Sequence, residues 1–336
     1  MEQTAVEKKF GKYVMASMIT MFLQSAYSMI DGLFVSNLIG DTALSAVNVA
    51  WPVIAVVTAI GTGVGCGGAV MMSTKQGEGK NEESNIVRAN VILALLASSI
   101  VVTILFIILL TPLLKLMGAE GELLRLSQIY GRVMLTGGVL QILSCGLTPL
   151  LRNDNRAVSA MMIMVGGLFA NLGLDFVFMY VFHMGIGGAA GASLCAQLFT
   201  TVCCLMILCT KKTDPIRLSQ FMIRKEYWKK IFKTAVSPFG ISLTPSLLIL
   251  YHNVACLKFG GDLAVNAYAL ISSTVGSYRV LLIGVAEGIQ PLASYAYGAH
   301  DFHAIRKIRN KAVITAIGVS FFLFIFTIAT ARFYPA

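Results

Sequence analysis

The sequence predicts an all-α integral membrane protein, a parallel two-lobe repeat of six-helix units with nine of an expected twelve transmembrane helices present. Three observations predict it. The 336 residues are 57% hydrophobic and only 12% charged, with a mean hydropathy of +0.78, whereas a soluble domain carries about 25% charge. Nine apolar stretches are each long enough to cross a hydrocarbon core roughly 30 Å thick, which takes about 20 helical residues. Residues 40–46, Gly-Asp-Thr-Ala-Leu-Ser-Ala, recur at 261–267 as Gly-Asp-Leu-Ala-Val-Asn-Ala, an offset of 221. The offset holds without a gap, taking Gly63 to Gly284, Gly67 to Gly288, Ser73 to Ser294, Gly77 to Gly298 and Arg88 to Arg309. The apolar stretches read as helices because a lone strand leaves its backbone unpaired in lipid, and a barrel would show short alternating segments instead.

The first expected span, 13–39, carries Asp31 in its interior and is too long for the apolar region of a cleavable signal peptide. The second, 43–73, holds Pro52 and the run Gly61-Thr62-Gly63-Val64-Gly65-Cys66-Gly67-Gly68. That run lacks the Gly-Lys-Ser/Thr ending of a phosphate loop, so close helix packing explains it. The third, fourth and fifth lie at 86–111, 126–151 and 157–182, and the fifth carries Asp175 in its interior. The sixth, 186–210, opens on Gly185-Ile186-Gly187-Gly188 with no strand before it, which argues against dinucleotide binding. The seventh, 231–259, contains Pro238 and Pro245; the eighth, 264–297, contains Glu287 and Pro291; the ninth is 312–334. These prolines should kink their helices.

The expected units are an N-lobe at 1–210, a linker at 211–230 and an incomplete C-lobe at 231–336. Six spans per offset is an even number, so both copies enter the membrane from the same side, related by an axis along its normal. Completing the second copy takes about three further spans. Repeated halves in a membrane protein point to a transporter with its site between or within the lobes.

Twenty of the 26 Lys and Arg residues fall on one set of alternate loops, among them Lys75, Lys80, Arg88, Arg152, Arg156 and the cluster from Lys211 to Lys233. The opposite side holds Lys115, Arg125, Arg132, Lys258 and Arg332. The positive-inside rule then makes the N-terminus and central loop cytoplasmic, in a multi-pass protein of the cell's inner (plasma) membrane. Basic residues dispersed over membrane-facing loops do not suit nucleic acid, despite the net charge of +10. Segment Arg217–Lys233 alternates basic residues with Leu218, Phe221, Trp228, Ile231 and Phe232, as a segment lying along the interface would. The seven cysteines lie inside spans without metal-ligand spacing and read as small buried hydrophobes. No nucleophile, metal cluster or acid pair beside an aqueous loop suggests an enzyme, and no organic cofactor or obligatory oligomer is implied.

Three acids lie inside spans: Asp31, Asp175 and Glu287. Such a residue costs about 2.5–3.5 kcal/mol on insertion scales, so it should face a polar interior. Asp31 follows Tyr27 by four residues and Gln24 by seven, and Asp175 follows Asn171 by four. Each set shares one helix face. Two helices thus each present a carboxylate beside an oxygen-bearing neighbour. Hard oxygens suit Na⁺, with Asp31, Asn171 and Asp175 as ligands, and paired carboxylates also suit a proton carrier. Glu287 sits in Glu287-Gly288-Ile289-Gln290-Pro291, where the proline frees a carbonyl. Glu287 and Gln290 are secondary candidates for substrate binding or coupling, facing a cytoplasmic vestibule. His252 stands 221 residues after Asp31 and is a third, since an ordinary histidine changes charge near pH 6.5.

Taken together, these motifs resemble the multidrug and toxic compound extrusion (MATE) family, within a superfamily that also includes oligosaccharide and peptidoglycan-precursor flippases. The resemblance is carried by Met29-Ile30-Asp31-Gly32-Leu33-Phe34-Val35 with Ile39-Gly40. It is carried also by Asn171-Leu172-Gly173-Leu174-Asp175 and by Gly288-Ile289-Gln290-Pro291 with Tyr297-Gly298-Ala299. It covers essentially the whole chain. It implies twelve spans in two lobes and export of small amphiphilic or cationic organic compounds by antiport against Na⁺ or H⁺ with alternating access. It implies further that Tyr27, Asp31, Asn171 and Asp175 occupy the family's cation-site positions, with Ser193 as a fifth member. A lipid-linked glycan flippase is the alternative. It would need several cationic residues in the central cavity, and only Arg279 qualifies.

Overall fold

The computed structural model describes residues 3–210 and 220–330, and among them the backbone is helical almost throughout, with no strand. Helix α1 (Gln3–Ile39) ends at Gly40, whose φ of 115° suits glycine, and α2 (Asp41–Gly77) begins at once. Helix α3 (Asn81–Leu116) follows a short turn. The sequence predicts one span at 126–151; the structure has two helices, α4 (Gly121–Thr136) and α5 (Gly138–Leu151). They break at Gly137, where a Cβ would lie 2.1 Å from Leu194 Cδ2. Glycine there both weakens the helix and admits the leucine. A π-helical segment, Arg152–Arg156, turns the chain with Asn155 at φ 64°. Helix α6 (Ala157–Asp175) runs on into a second π segment, Phe176–Val181, before α7 (Gly185–Cys209). Residues 211–219 of the linker lie outside the described residues, as do 331–334 of the ninth span.

The seventh and eighth spans fall in one continuous helical run, α8 (Lys225–Gly298), followed by α9 (Phe302–Thr330). A straight helix of 74 residues would be about 110 Å long, far beyond a membrane. The run is folded back on itself. The His252 ring stacks on Tyr268 at 5.1 Å with planes 9° apart, although sixteen residues of straight helix would separate them by about 24 Å. The reversal lies between the two rings, with Gly260-Gly261 midway, where the sequence breaks its two apolar stretches. Helix α8 is thus a hairpin with a first arm near 225–259 and a second near 264–298.

Close backbone approaches reveal the symmetry that the sequence repeat predicts. A Cβ on Gly77 would lie 2.1 Å from Tyr295 O, and one on Gly298 would lie 2.0 Å from Thr74 O. Under the 221 offset these are the same contact. Gly63 meets Phe239 and Gly67 meets Ala235, while Gly284 meets Met18 and Gly288 meets Val14; these too are equivalent pairs. So the first arm of α8 packs on α2 as α1 packs on the second arm. Reciprocal contacts of this kind are the mark of a two-fold axis. Cys66 also lies beside its own counterpart, Glu287. Self-contacts at 66/287 and 77/298 are eleven residues apart, about 16 Å along a helix, so the axis runs parallel to α2 and the second arm. The repeat is parallel, with its axis along the membrane normal.

The main apolar core lies in the first six spans. Ile54, Met72, Leu95, Leu135, Ile142, Leu151 and Leu208 are each at most 1% exposed, and Ile231 and Ala235 of α8 join them. Two basic residues expected on loops are interior. Arg88 is fully buried, bonding Leu208 O and Asn85 with Asp154 at 3.9 Å. Arg152 is 5% exposed. The outer faces remain apolar, as at Ile104, Ile108, Phe322 and Phe326, which suits contact with lipid.

Candidate functional site

Helices α1 and α6 bring their acidic faces together inside the first lobe. Asp175 is fully buried and Asn171 nearly so. The Tyr27 hydroxyl donates to Asn171 Oδ1 and lies 3.4 Å from Asp175 Oδ2. The Asn171 amide donates to the same Oδ2 at 3.1 Å. That one bond fixes the amide orientation: its nitrogen faces the carboxylate and its oxygen faces the phenol. Ser193 of α7 sits beside the Tyr27 hydroxyl. Asp31 stands close enough for its charge to act on both Tyr27 and Tyr130.

The remaining carboxylate oxygens are the telling feature. Asp31 Oδ1 and Asp175 Oδ1 are both buried without a hydrogen-bond partner among the described residues. An unsatisfied buried acceptor costs free energy and is uncommon. Here there are two, on acids from different helices, in a shell otherwise made of a phenol, an amide and a hydroxyl. The donor set is entirely hard oxygen. Among the described residues there is no cluster of three or more His, Cys, Asp or Glu side chains, so the set fits a monovalent cation or a proton better than a transition metal.

Tyr27, Asp31, Asn171, Asp175 and Ser193 therefore share one place. Tyr130 belongs with them and was not singled out from the sequence. Its only signal is the buried stripe Ser127, Tyr130, Gly131, Met134 on α4, which marks an inward face without pointing to any acid. The other candidates lie elsewhere. Glu287 and Gln290 are on the second arm of α8, at the lobe interface. Glu287 Oε2 accepts from Arg152 Nη1 at 2.5 Å. His252 is exposed, with Nδ1 2.8 Å from Leu248 O, and lies away from the acid pair on the first arm of α8.

Two symmetric helical units with an acid pair buried in one of them have the build of a multi-pass membrane transporter. The chain belongs to the MatE family, whose model matches residues 16–177 and 241–335. It is 25% identical over 326 residues to the multidrug export protein MepA of Staphylococcus aureus, covering 95% of this chain and 70% of that protein. The MepA of Staphylococcus saprophyticus is 24% identical over 318 residues, with 94% and 70% covered. Among solved structures, a MATE protein in complex with MaL6 superposes with a TM-score of 0.92 at 25% identity, covering 97% of this chain and 73% of the other.

Proposed function

We propose that this protein exports small amphiphilic or cationic organic compounds in exchange for Na⁺ or H⁺, and that the cation binds at Asp31, Tyr27, Asn171 and Asp175, with Ser193 and Tyr130 completing the shell. The observation that carries this reading is the pair of buried carboxylate oxygens left unsatisfied among the described residues. A cation supplies what both lack and offsets the repulsion of two acids in a low-dielectric interior. Antiport then follows from competition. Occupancy of the acid site by the ion favours one arrangement of α1 and α6, and the substrate favours the other. The multidrug export named for the staphylococcal relatives supports the substrate class. The basic loops Lys75–Lys80 and Arg306–Lys311 support an orientation with that end in the cytoplasm.

The test is efflux from proteoliposomes. The chain is reconstituted, loaded with a cationic dye, and given either an Na⁺ or a pH gradient. Efflux driven by one gradient and lost in Asp175→Asn supports the reading and identifies the ion. Efflux indifferent to both gradients, or unaltered by Asp175→Asn, overturns it.

A further inference from the structure

The Arg152–Glu287 pair joins the two repeat units. Arg152 closes α5 in the first unit, and its side chain is 6% exposed. Glu287 lies on the second arm of α8, and its side chain is 23% exposed. At position 66, its counterpart in the first copy, stands Cys66, which is 6% exposed. Cys66, Glu287, Arg152 and Gln290 are gathered at the two-fold axis. Glutamate at 287 against cysteine at 66 places one charge on the axis, and Arg152 of the first unit meets it.

The close inter-unit approaches named above run from Gly63 and Gly284, about one turn beyond this pair, to Gly77 and Gly298 towards the basic end. Ser73 donates to Pro291 O at 3.1 Å, and Gly77 touches Gly298. Towards that basic end the units line an open pocket of about 830 Å³ with mixed walls, polar at Gln76, Asn81 and Asn153 and apolar at Leu292, Ala296 and Ile308. Its lining residues Asn153 and Pro291 are near neighbours in sequence of Arg152 and Glu287. In the other direction, residues of the first arm such as Ile241, Leu247 and Tyr251 are well exposed. Among the described residues the ion pair is therefore the innermost polar tie between the units at the basic end, with the open pocket beyond it. Glycine contacts give shape to the seal but little adhesion. A charge-assisted bond at low exposure supplies adhesion, and among the described residues the buried Arg152 Nε has no hydrogen-bond partner.

We propose that the Arg152–Glu287 pair is the lock that holds the transporter closed at its basic end, and that it must part whenever the lobes open to that side. It positions the lobes and takes no part in binding the coupling cation. The proposal rests on the alternating-access reading, but its test does not depend on transport.

Cys66 is the native reporter, buried beside the lock. Cys204 is fully buried within the first lobe and reports unfolding. The chain in membrane vesicles is treated with a permeant maleimide, and modification of each cysteine is followed by peptide mass. In Glu287→Gln, labelling of Cys66 should accelerate at least tenfold while Cys204 stays slow. The exchanged pair R152E/E287R should restore slow labelling. Unchanged labelling of Cys66 in Glu287→Gln overturns the proposal. Should Cys204 accelerate as well, the single variant is unfolded and the exchanged pair decides: slow Cys66 and Cys204 support the lock, and fast Cys66 with slow Cys204, or failure of both, overturns it. Loss of gradient coupling with intact labelling behaviour would count against the cation site alone.

Discussion

The symmetric glycine contact makes the sharpest prediction about how the lobes move. In Gly298→Ala the added methyl would sit 2.0 Å from Thr74 O, with Thr74 C and Cα at 2.8 and 3.0 Å. All three are backbone atoms, so no side chain can swing aside. Ordinary contact needs roughly 3.4 Å, and α2 and the second arm of α8 must part by about 1 Å or more. Forced overpacking of this size costs about 1–3 kcal/mol. The cost falls on the arrangement in which the units touch at this end, and is absent when they separate there. The population should therefore shift towards the separated state by roughly 5- to 150-fold. Maleimide labelling of Cys66 in vesicles should accelerate accordingly. Gly77→Ala makes the symmetry-related clash, 2.1 Å from Tyr295 O, and should have an effect of similar size. The double variant should cost little more than either single one, because one separation relieves both clashes. Wild-type labelling in both single variants, or strict additivity in the double one, would refute the reasoning.

Other outcomes follow from the same geometry. Asp31→Asn should abolish gradient-driven dye efflux from vesicles while expression and membrane insertion stay near normal, since shape is kept and only the charge is lost. Tyr27→Phe removes the donor that satisfies Asn171 Oδ1, a loss of about 1–3 kcal/mol, and the concentration of driving cation giving half-maximal efflux should rise by roughly 5- to 150-fold. Arg88→Leu removes one of two arginines near the buried Asp154, which keeps Arg156 at 4.0 Å and the Gln76 amide at 3.1 Å, and it frees Leu208 O; the unfolding free energy in detergent should fall by about 1–3 kcal/mol. His252→Ala, at an exposed position outside the acid site, should leave the coupling-ion dependence of efflux unchanged.

Much of this arrangement was legible in the sequence because it rests on period and repeat. Helix spacing alone put Tyr27 with Asp31 and Asn171 with Asp175, and an acid in a span has to face inward. The offset of 221 foretold a parallel axis before any contact was known. What could not be read was pairing between segments of unlike sequence. Arg152 lies in a run of loop-like residues, Leu151-Arg152-Asn153-Asp154-Asn155-Arg156, and counts naturally as a basic loop residue. Only the π-helical turn after α5 swings it inward to Glu287. Arg88 was misread for a related reason: its partner Asp154 is remote in sequence and comes near only when α3 meets the same turn. The break at Gly137 was missed because an apolar stretch shows no boundary when a glycine pair interrupts it mid-membrane. Its cause, Leu194, belongs to a later helix.

The repeat also shows where the symmetry fails, and why. Helix α9 corresponds to α3 under the offset, so Val313, Ser320 and Phe324 are the counterparts of Ile92, Ser99 and Thr103. In the first copy these positions are 4%, 0% and 8% exposed, on a helix that packs against both α4 and α5. In the second copy Val313 is 51% and Phe324 61% exposed, and Ser320 is exposed too. The difference is not one of composition, since both helices are strongly apolar. It lies in what packs against them. Ser99 can be buried in the first copy because α5 covers it and its hydroxyl bonds Leu96 O of its own helix. At Phe324 the second copy has a larger apolar side chain, which would bury more area against a covering helix than Thr103 does. The inner faces of α1, α2 and α8 obey the two-fold axis closely because each has its partner from the other copy. Symmetry in this fold is therefore a property of contacts made along the axis.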